Sequence, residues 1–330
     1  MLRVLGLGLL GLVVLGWVWL AIGFHATGGL ALALHAGVLV LGLAYAALLW
    51  RRRWRVALAG VAAIAALGAL WYVAQVPRDD RVWAADVRHG VTGRVEGSRV
   101  TLMNVRNFRW QNPDTAEESW ETRVVDADAI TSVDMFTSVW GNPLIAHVLV
   151  SFGFADGQHI VFSGEIRREQ GEVYSALGGL FRRYELVMIA ADERDIVHLR
   201  TDARGERVSL FPVTLAPETR KMLFLSFVNR ANALAAEPEW YHTILANCTT
   251  MPYQLVKGIA PDLSLDWRVL ASGRLPGFLH DLGVLRPEMD IAAIERRAIL
   301  PSSGSDAAEG AGYSRQIRAG WVDEKSTAAP

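Results

Sequence analysis

The residue with the most reactive side chain in this sequence is its single cysteine, Cys248. One cysteine can neither close a disulfide within the chain nor build a multi-thiolate zinc or iron–sulfur site, so it is either a packing residue or a nucleophile. Asn247, Thr249, Thr250 and Pro252 surround it, and all are residue types that begin helices. We therefore expect Cys248 near a helix N-terminus, where the dipole and free N–H groups stabilise a thiolate and can receive an oxyanion.

A hairpin upstream of the cysteine is expected to bring a histidine and a carboxylate together. Ala155, Asp156 and Gly157 separate two alternating apolar segments, which favours a three-residue turn with Gly157 in the left-handed region. In that register His147 lies directly opposite Glu165. A two-residue turn would shift the pairing by one residue and separate the two side chains.

The two faces of this hairpin differ in polarity. Apolar side chains define the face expected to form the core, namely Val148, Val150, Phe152, Phe154, Ile160, Phe162 and Ile166. The opposite face has Leu149 and Val161 at its centre and carries the polar residues His147, Ser151, Ser163 and Glu165, with His159 near the hairpin tip. This second face is too polar to be packed as an ordinary core.

The amino-terminal part of the chain has the composition of a membrane anchor. Apolar runs at 2–24, 30–50 and 56–76 each match the roughly 30 Å of hydrocarbon that about 20 helical residues cross. We expect three retained spanning helices rather than a cleaved signal peptide. Four arginines within 51–55 place that loop in the cytoplasm, so the chain after residue 76 is extracytoplasmic. His35 lies in the second run, either as a functional group or as a neutral imidazole bonded to a neighbouring helix.

Residues 77–300 have the composition of one mixed globular domain. Alternating patterns predict strands over 93–105 and 146–166, and helical signals predict one helix at 217–234 and another after Asn247. Residues 301–330 begin with a Ser-, Gly- and Ala-rich run and are expected to form a disordered tail. The predicted organisation is thus a membrane anchor at 1–76, an extracytoplasmic domain at 77–300 and the tail.

Composition and motif content exclude several function classes. The 33 basic and 34 acidic residues give a net charge of −1, so no basic excess exists for binding a nucleic acid backbone. The sequence has no glycine-rich phosphate loop, and His242 with Cys248 has poor spacing for a metal site. We therefore expect no cofactor, no metal ion and no nucleic acid partner.

Charged clusters outside the Cys-His constellation have simpler interpretations. Asp192, Glu193 and Asp195 lie among Arg194 and Arg200, which favours a structural ion-pair network over a metal site. Four arginines beside the predicted strands could meet a lipid phosphate, although such arginines are usually only solvated: Arg167, Arg168, Arg182 and Arg183.

Five segments of the domain resemble the Lnb N-terminal periplasmic domain family of bacteria. They follow one another in the family's order across about residues 100–285, so the match is specific. The three predicted spans fall outside it. The segments are 105–110 (VRNFRW), 146–154 (AHVLVSFGF), 163–169 (SGEIRRE), 192–201 (DERD through LRT) and 247–250 (NCTT).

The resemblance implies an α+β domain with a thiol active site of the permuted papain-like, NlpC/P60-like kind, in which the histidine strand precedes the cysteine helix. It implies a role in lipoprotein N-acylation, the transfer of an acyl chain onto a lipidated amino-terminal cysteine. Mapped onto this chain, Cys248 is the nucleophile, His147 the base and Glu165 the third member, with His159 as the alternative to Glu165.

The leading hypothesis is a membrane-anchored acyltransferase of the bacterial inner membrane with a periplasmic domain and a lipid or lipoprotein substrate. Backbone N–H groups of Cys248 and Thr249 are candidate oxyanion donors. Asn247 and Tyr241 are weaker candidates. A peptidase or amidase acting on cell-wall peptides is the alternative with the same site, because the same thiol chemistry hydrolyses amides. A catalytically silent binding protein is the third hypothesis.

Overall fold

A computed structural model of the chain describes residues 2–304 and 307–321. The described chain forms two compact units. One unit holds the chain up to Arg78 together with Tyr174–Tyr184, and the other holds Asp79–Val173 and the chain from Glu185 onward. The boundary near residue 78 falls close to the predicted one, but the inclusion of Tyr174–Tyr184 in the first unit was not predicted.

Three apolar helices form the first unit: α1 (Leu2–His25), α2 (Gly28–Trp50) and α3 (Trp54–Ala74). Within the described residues these three are long and apolar enough to cross a membrane. Their bounds agree with the three predicted spans. His35 adopts the simpler of its two predicted roles, since its Nε2 hydrogen-bonds to the Trp19 carbonyl oxygen at 3.1 Å on the neighbouring helix.

The second unit is a mixed α/β domain in which nine of the described strands form one sheet. Their order is β1-β2-β9-β8-β7-β6-β10, with β5 beside β2 and β11 beside β9. The β2–β9 pair is parallel and the other pairs are antiparallel. The bounds are β1 (Thr92–Glu96), β2 (Arg99–Arg106), β5 (Trp120–Asp126), β6 (Ile130–Val139), β7 (His147–Phe154), β8 (His159–Arg167), β9 (Glu185–Asp192), β10 (Arg207–Val213) and β11 (Glu239–Trp240). A separate hairpin comprises β3 (Arg109–Asn112) and β4 (Thr115–Glu117).

The β7–β8 hairpin has the predicted three-residue turn. The Phe154 N–H donates to the Gln158 carbonyl at 2.9 Å, and Gly157 adopts a φ of +86°. Gly153 pairs with His159 and Val150 with Phe162, which is the predicted register. The stretch predicted as one strand at 93–105 is instead the β1–β2 hairpin, because Gly97 turns the chain at a φ of +63°.

The apolar face of the hairpin packs on the predicted amphipathic helix, α5 (Pro217–Ala236). Phe152 and Phe162 meet Phe224 and Phe227 of α5 with ring centroids 5.3 to 5.9 Å apart. Edge-on and tilted contacts of this kind add to the stability from apolar burial. Six of the seven residues of the predicted core face are buried, and Ile166 is half-buried.

The polar face is not open, because chain from beyond β9 covers it. Leu149 and Val161 are fully buried there in a cluster with Ile196, Val197 and Leu210. The covering helices are α4 (Glu193–His198), α7 (Leu275–Asp281), α8 (Ile291–Ala298) and α9 (Ala311–Arg318), while α6 (Thr250–Ile259) follows Cys248. Polar residues on this face therefore lie in a low-water environment, where their charges interact strongly.

The prediction of a disordered tail at 301–330 is wrong for the described part of that segment. Helix α9 buries Tyr313 and Ile317, and Trp321 is buried just beyond it. Sequence patterning misses this helix because only eight residues carry its periodicity, after a run of small residues typical of disorder. Residues 305–306 and 322–330 lie outside the described chain.

Candidate active site

Cys248 lies directly before α6, as predicted, and Asn247 fixes this helix start. The Asn247 side-chain oxygen accepts hydrogen bonds from the N–H groups of Thr249 and Thr250, both at 2.9 Å. In return, the Thr250 hydroxyl accepts from the Asn247 N–H at 3.0 Å. Asn247 also donates from Nδ2 to the Thr243 carbonyl oxygen at 2.7 Å. This reciprocal cap holds the half-buried thiol at the positive end of the helix dipole.

The cap changes the roles predicted for two of the weaker candidates. Thr249 was expected to offer its N–H to an oxyanion, but that N–H is already bonded to Asn247. Asn247 uses its side-chain oxygen and one N–H of its side-chain amide in the cap. The N–H of Cys248, in contrast, has no acceptor among the described residues.

His147 begins β7 and is held on one side of its ring by Ser163 and Glu165 of β8. Its Nε2 lies 2.8 Å from the Ser163 hydroxyl oxygen and 3.0 Å from Oε1 of Glu165. The Ser163 hydroxyl donates a hydrogen bond to Oε1 of Glu165 at 2.8 Å. The Ser163 oxygen is therefore an acceptor for the Nε2–H of His147. These contacts hold the Nε2 side of the His147 ring.

Cys248 and His147 interact directly and shift each other's pKa. Burial alone would raise the pKa of the Cys248 thiol, but the His147 imidazole beside it and the Val148 N–H aimed at the sulfur lower it below its ordinary value. Burial alone would lower the pKa of His147, but the charges of Glu165 and Cys248 raise it to about 9. Each group therefore stabilises the charged form of the other, the thiolate of Cys248 and the imidazolium of His147.

Glu165 supplies the negative charge behind the imidazole. Burial alone would raise its pKa, but the positive charges of His147 and Arg200 hold the pKa well below its ordinary range. Glu165 therefore stays ionised beside the His147 ring. This is the position predicted for the third member of the site. His159, the alternative, is not near this pair, because its ring lies beside Asp134 and Glu193 at the hairpin tip.

Arg200 is a site residue that the sequence analysis placed elsewhere. Its Nη2 donates to Oε1 of Glu165 at 2.9 Å, and its guanidinium is buried. It comes from a π-helical turn at Leu199–Ala203, a rare geometry found often at functional sites. From its position in the sequence, Arg200 was expected to pair with the neighbouring acidic cluster. Its position within a family motif is the signal that could have singled it out.

Gly164 is a second residue whose role appears only in three dimensions. A Cβ atom at this position would lie 2.7 Å from the Met251 side chain and 3.7 Å from the Cys248 Cα. Because glycine has no Cβ, the start of α6 packs closely against β8 at this point. The short Ser163-Gly164-Glu165 stretch thus provides both the polar partners of His147 and the space beside Cys248.

The remaining candidates, Tyr241 and His242, precede Cys248 in a short loop. Tyr241 is buried. His242 accepts hydrogen bonds at Nδ1 from the N–H groups of Ile244 and Leu245, both at 3.2 Å. It therefore orders the loop by binding its backbone.

A second polar cluster occupies the other end of the same face, at the hairpin tip. Asp134, His159 and Glu193 offer possible metal-ligand atoms within 4.8 Å of one another. Arg318 of α9 already provides the cation there, because its Nη2 lies 2.7 Å from Asp134 and 2.6 Å from Glu193. Burial would raise the pKa of Glu193, but Arg318 outweighs it and lowers the pKa to about 2.

The other two acidic residues of the predicted cluster also pair with arginines. Asp192 binds Arg123 at 2.8 Å, and Asp195 forms a buried two-point ion pair with Arg106 at 2.8 and 3.1 Å. The ion-pair interpretation holds, but these arginines come from distant strands and not from the neighbouring residues expected. Spacing along the chain could not reveal partners 89 residues apart.

Three helices of spanning length followed by a mixed α/β domain define a membrane-associated envelope protein with an extracytoplasmic domain. Residues 116–273 match the family model described as the Lnb N-terminal periplasmic domain, the family that the motifs predicted. The matched segment contains His147, Glu165 and Cys248. No curated protein and no solved structure matches the chain.

Proposed function

We propose that this protein is a membrane-anchored thiol acyltransferase acting on lipid or lipoprotein substrates. The observation that carries the proposal is the contact between Cys248, at the start of α6, and His147, whose Nε2 is held by Glu165. A nucleophile, a base and an orienting carboxylate are the groups required for covalent acyl transfer. The histidine strand precedes the cysteine helix, which supports a permuted papain-like, NlpC/P60-like arrangement.

In the first half-reaction the Cys248 thiolate attacks the carbonyl carbon of a lipid ester. The carbonyl oxygen becomes an oxyanion, and the unbonded Cys248 N–H at the helix start is its donor. The intermediate then collapses with cleavage of the ester C–O bond. The His147 imidazolium gives its proton to the departing alcohol, which leaves a thioester on Cys248 and a neutral imidazole.

In the second half-reaction an acceptor amine attacks the thioester carbonyl. Neutral His147 accepts the proton that the amine loses, and the C–S bond breaks as the amide forms. The products are the acylated amine and the restored thiolate–imidazolium pair. Glu165 stabilises the imidazolium in both halves without itself taking up the proton.

Exposed apolar side chains next to the site support a lipid donor. Ile244 and Leu245 precede Cys248 and are 47 and 64 % exposed, and Leu144 and Ile145 precede His147 and are 43 and 50 % exposed. Solvent-exposed apolar side chains concentrated beside a reactive group favour a substrate with an apolar part. The membrane anchor supplies the further condition that acyl chains are nearby, and we place it in the bacterial inner membrane with the domain in the periplasm.

A reconstitution experiment separates this function from its alternatives. The full chain in phospholipid vesicles is given a synthetic lipopeptide with a diacylglyceryl-modified amino-terminal cysteine and, in parallel, a cell-wall peptide. Mass spectrometry then follows gain of one acyl group by the lipopeptide or cleavage of the peptide. Cys248→Ala and His147→Ala are run beside the unchanged protein.

Acylation of the lipopeptide that requires both residues is the expected result. Cleavage of the peptide that requires both residues would instead establish the hydrolase that shares this site. Neither reaction in the unchanged protein, with lipopeptide binding retained in Cys248→Ala, would establish a binding protein.

A further inference from the structure

Segment Tyr174–Tyr184 connects β8 to β9 in the sequence but forms one compact unit with the three apolar helices. Its centre is a single 3-10 turn at Gly178–Phe181. Neither its composition nor its length predicts a membrane segment, since the turn is too short to span a bilayer. Its contacts with α1 and α3 indicate its role.

The Phe181 side chain is buried among aromatic residues of α1. Its ring stacks on Phe24 with centroids 5.3 Å apart and meets Trp17 at 5.7 Å. Trp17 and Phe24 are seven residues apart, which is about 10 Å along a helix axis. The Phe181 ring therefore lies beside the last turns of α1, within the stretch that crosses the hydrocarbon.

Polar groups of the same segment satisfy the C-terminal carbonyls of both helices that end on this side. Arg182 donates to the carbonyl oxygens of Tyr72 and Gln75 at 2.7 and 3.1 Å, at the end of α3. Arg183 donates to the Phe24 carbonyl oxygen, and His25 Nε2 donates to the Phe181 carbonyl oxygen at 2.6 Å. Such carbonyls lack partners within their helix, and leaving them unbonded is costly where water is scarce.

These contacts revise the interpretation of the four arginines that were expected to be solvated or to meet lipid phosphate. Arg182 and Arg183 cap helix ends, and their positive charges complement the negative ends of the helix dipoles. Arg167 and Arg168 pair with Asp79 and Asp86. All four have protein partners.

Two large side chains of the segment are exposed. Tyr174 is 42 % exposed and Leu177 is 52 % exposed. Trp17 and Tyr72 contact the segment from α1 and α3. Aromatic side chains of this kind, with the capping arginines beside them, are typical of a membrane–water interface.

We propose that Tyr174–Tyr184 is an interfacial membrane segment, seated in the extracytoplasmic leaflet with Tyr174 and Leu177 in contact with lipid. The occupant of this surface is the bilayer itself, because Phe181 and the capping arginines join the segment to helices that cross it. The proposal rests on the three spans and is independent of the chemistry at Cys248.

Fluorescence quenching by lipids tests this placement directly. Cys248→Ser leaves the chain without cysteine, so Leu177→Cys in that background gives one labelling site for an environment-sensitive fluorophore. Tyr174→Cys is a second, independent site in case the first variant fails to fold. The labelled full chain is reconstituted in phosphatidylcholine vesicles that carry a nitroxide either near the headgroup or at the chain end. Leu12→Cys on α1 is the reference for a position inside the bilayer, and Asp114→Cys in the β3–β4 turn is the reference for a position in water.

The expected result is a blue-shifted emission at position 177 or 174 that the headgroup-level nitroxide quenches more strongly than the chain-end nitroxide. Equal emission in vesicles with and without nitroxide lipids at both positions would overturn the proposal, since the segment would then lie outside the bilayer. Emission that matches the Asp114→Cys reference would overturn it as well.

Discussion

Arg200 donates a hydrogen bond of 2.9 Å to Oε1 of Glu165, the same oxygen that lies 3.0 Å from Nε2 of His147. One carboxylate oxygen thus lies between two cations. It stabilises the imidazolium of His147, while Arg200 limits that stabilisation because its positive charge lowers the pKa of His147. The balance leaves His147 with a pKa of about 9, so its ring is an imidazolium at neutral pH.

The first prediction concerns the charge of Glu165. In Glu165→Gln the pKa of His147 falls, because Glu165 is the main group that raises it, and the Cys248 thiol loses the imidazolium that keeps it ionised. Each unit by which the thiol pKa rises lowers the thiolate fraction about tenfold at a pH below that pKa, so alkylation by iodoacetamide at pH 6 should slow by about that factor or more. Glu288→Gln, a substitution at an exposed carboxylate, is the control and should alkylate at the normal rate. Equal alkylation rates in Glu165→Gln and Glu288→Gln would show that Glu165 does not act on Cys248.

The second prediction concerns Arg200 and has the opposite sign. In Arg200→Met the imidazolium no longer faces a second cation, so the pKa of His147 rises further and the basic inflection of the alkylation profile moves to higher pH. Arg200→Lys keeps the charge and should leave that inflection nearly unchanged, as should Arg194→Met in the same part of the chain. A merely structural arginine would lower stability without moving the inflection, so an unshifted profile in Arg200→Met would contradict the account.

The third prediction concerns the tail helix α9. Arg318→Met leaves Asp134 and Glu193 buried without their cation, and removal of one partner from a buried ion pair costs about 3–5 kcal/mol. Thermal unfolding of the full chain in detergent should therefore show a clear loss of stability at pH 7. Arg315→Met, at an exposed position on the same helix, should show almost none.

This loss should depend on pH with a defined sign. The folded pKa of Glu193 is about 2, below its ordinary 4.5, so its ionisation stabilises the fold above about pH 4.5 and this contribution fades as the pH falls toward 2. The stability difference between the unchanged protein and Arg318→Met should accordingly shrink below pH 4.5. A difference that grows on acidification would show that Arg318 does not act through Glu193.

The fourth prediction concerns topology. Arg53 lies in the arginine-rich α2–α3 connection and Asp114 in the β3–β4 turn. Cysteines placed singly at these positions in a Cys248→Ser background should differ in spheroplasts, where a membrane-impermeant thiol reagent labels position 114 but reaches position 53 only after lysis. Labelling of position 53 in intact spheroplasts would reverse the orientation.

Local patterns were sufficient to predict the spans, the hairpin and the cysteine helix. The turn at Ala155–Gly157 determines a register, and register brings His147 to Glu165 without any long-range information. The apolar runs identify the helices by their length and composition. Asn247 marks the helix start because its side chain can cap free N–H groups.

Partners that are distant in sequence could not be predicted in this way. Arg200 reaches Glu165 from a π-helical turn, and Arg318 reaches Glu193 from a helix 125 residues further along the chain. Arginine side chains are long and common in this sequence, so their spacing carries almost no information about which carboxylate each one binds. The docking of Tyr174–Tyr184 on α1 and α3 was missed for the same reason, since a short turn becomes informative only beside the helices it contacts.

Detection of an acyl-enzyme on Cys248 tests the central claim most directly. The full chain is incubated with phospholipid in the absence of an acceptor amine, and its intact mass is measured. We predict a mass gain of one acyl group that neutral hydroxylamine removes, that is absent in Cys248→Ala and that is strongly reduced in His147→Ala, with both variants folded. Because the two residues act as a unit, the double variant should be scarcely worse than either single one in subsequent acyl transfer. Full acyl transfer or amide hydrolysis by Cys248→Ala would contradict the proposed mechanism.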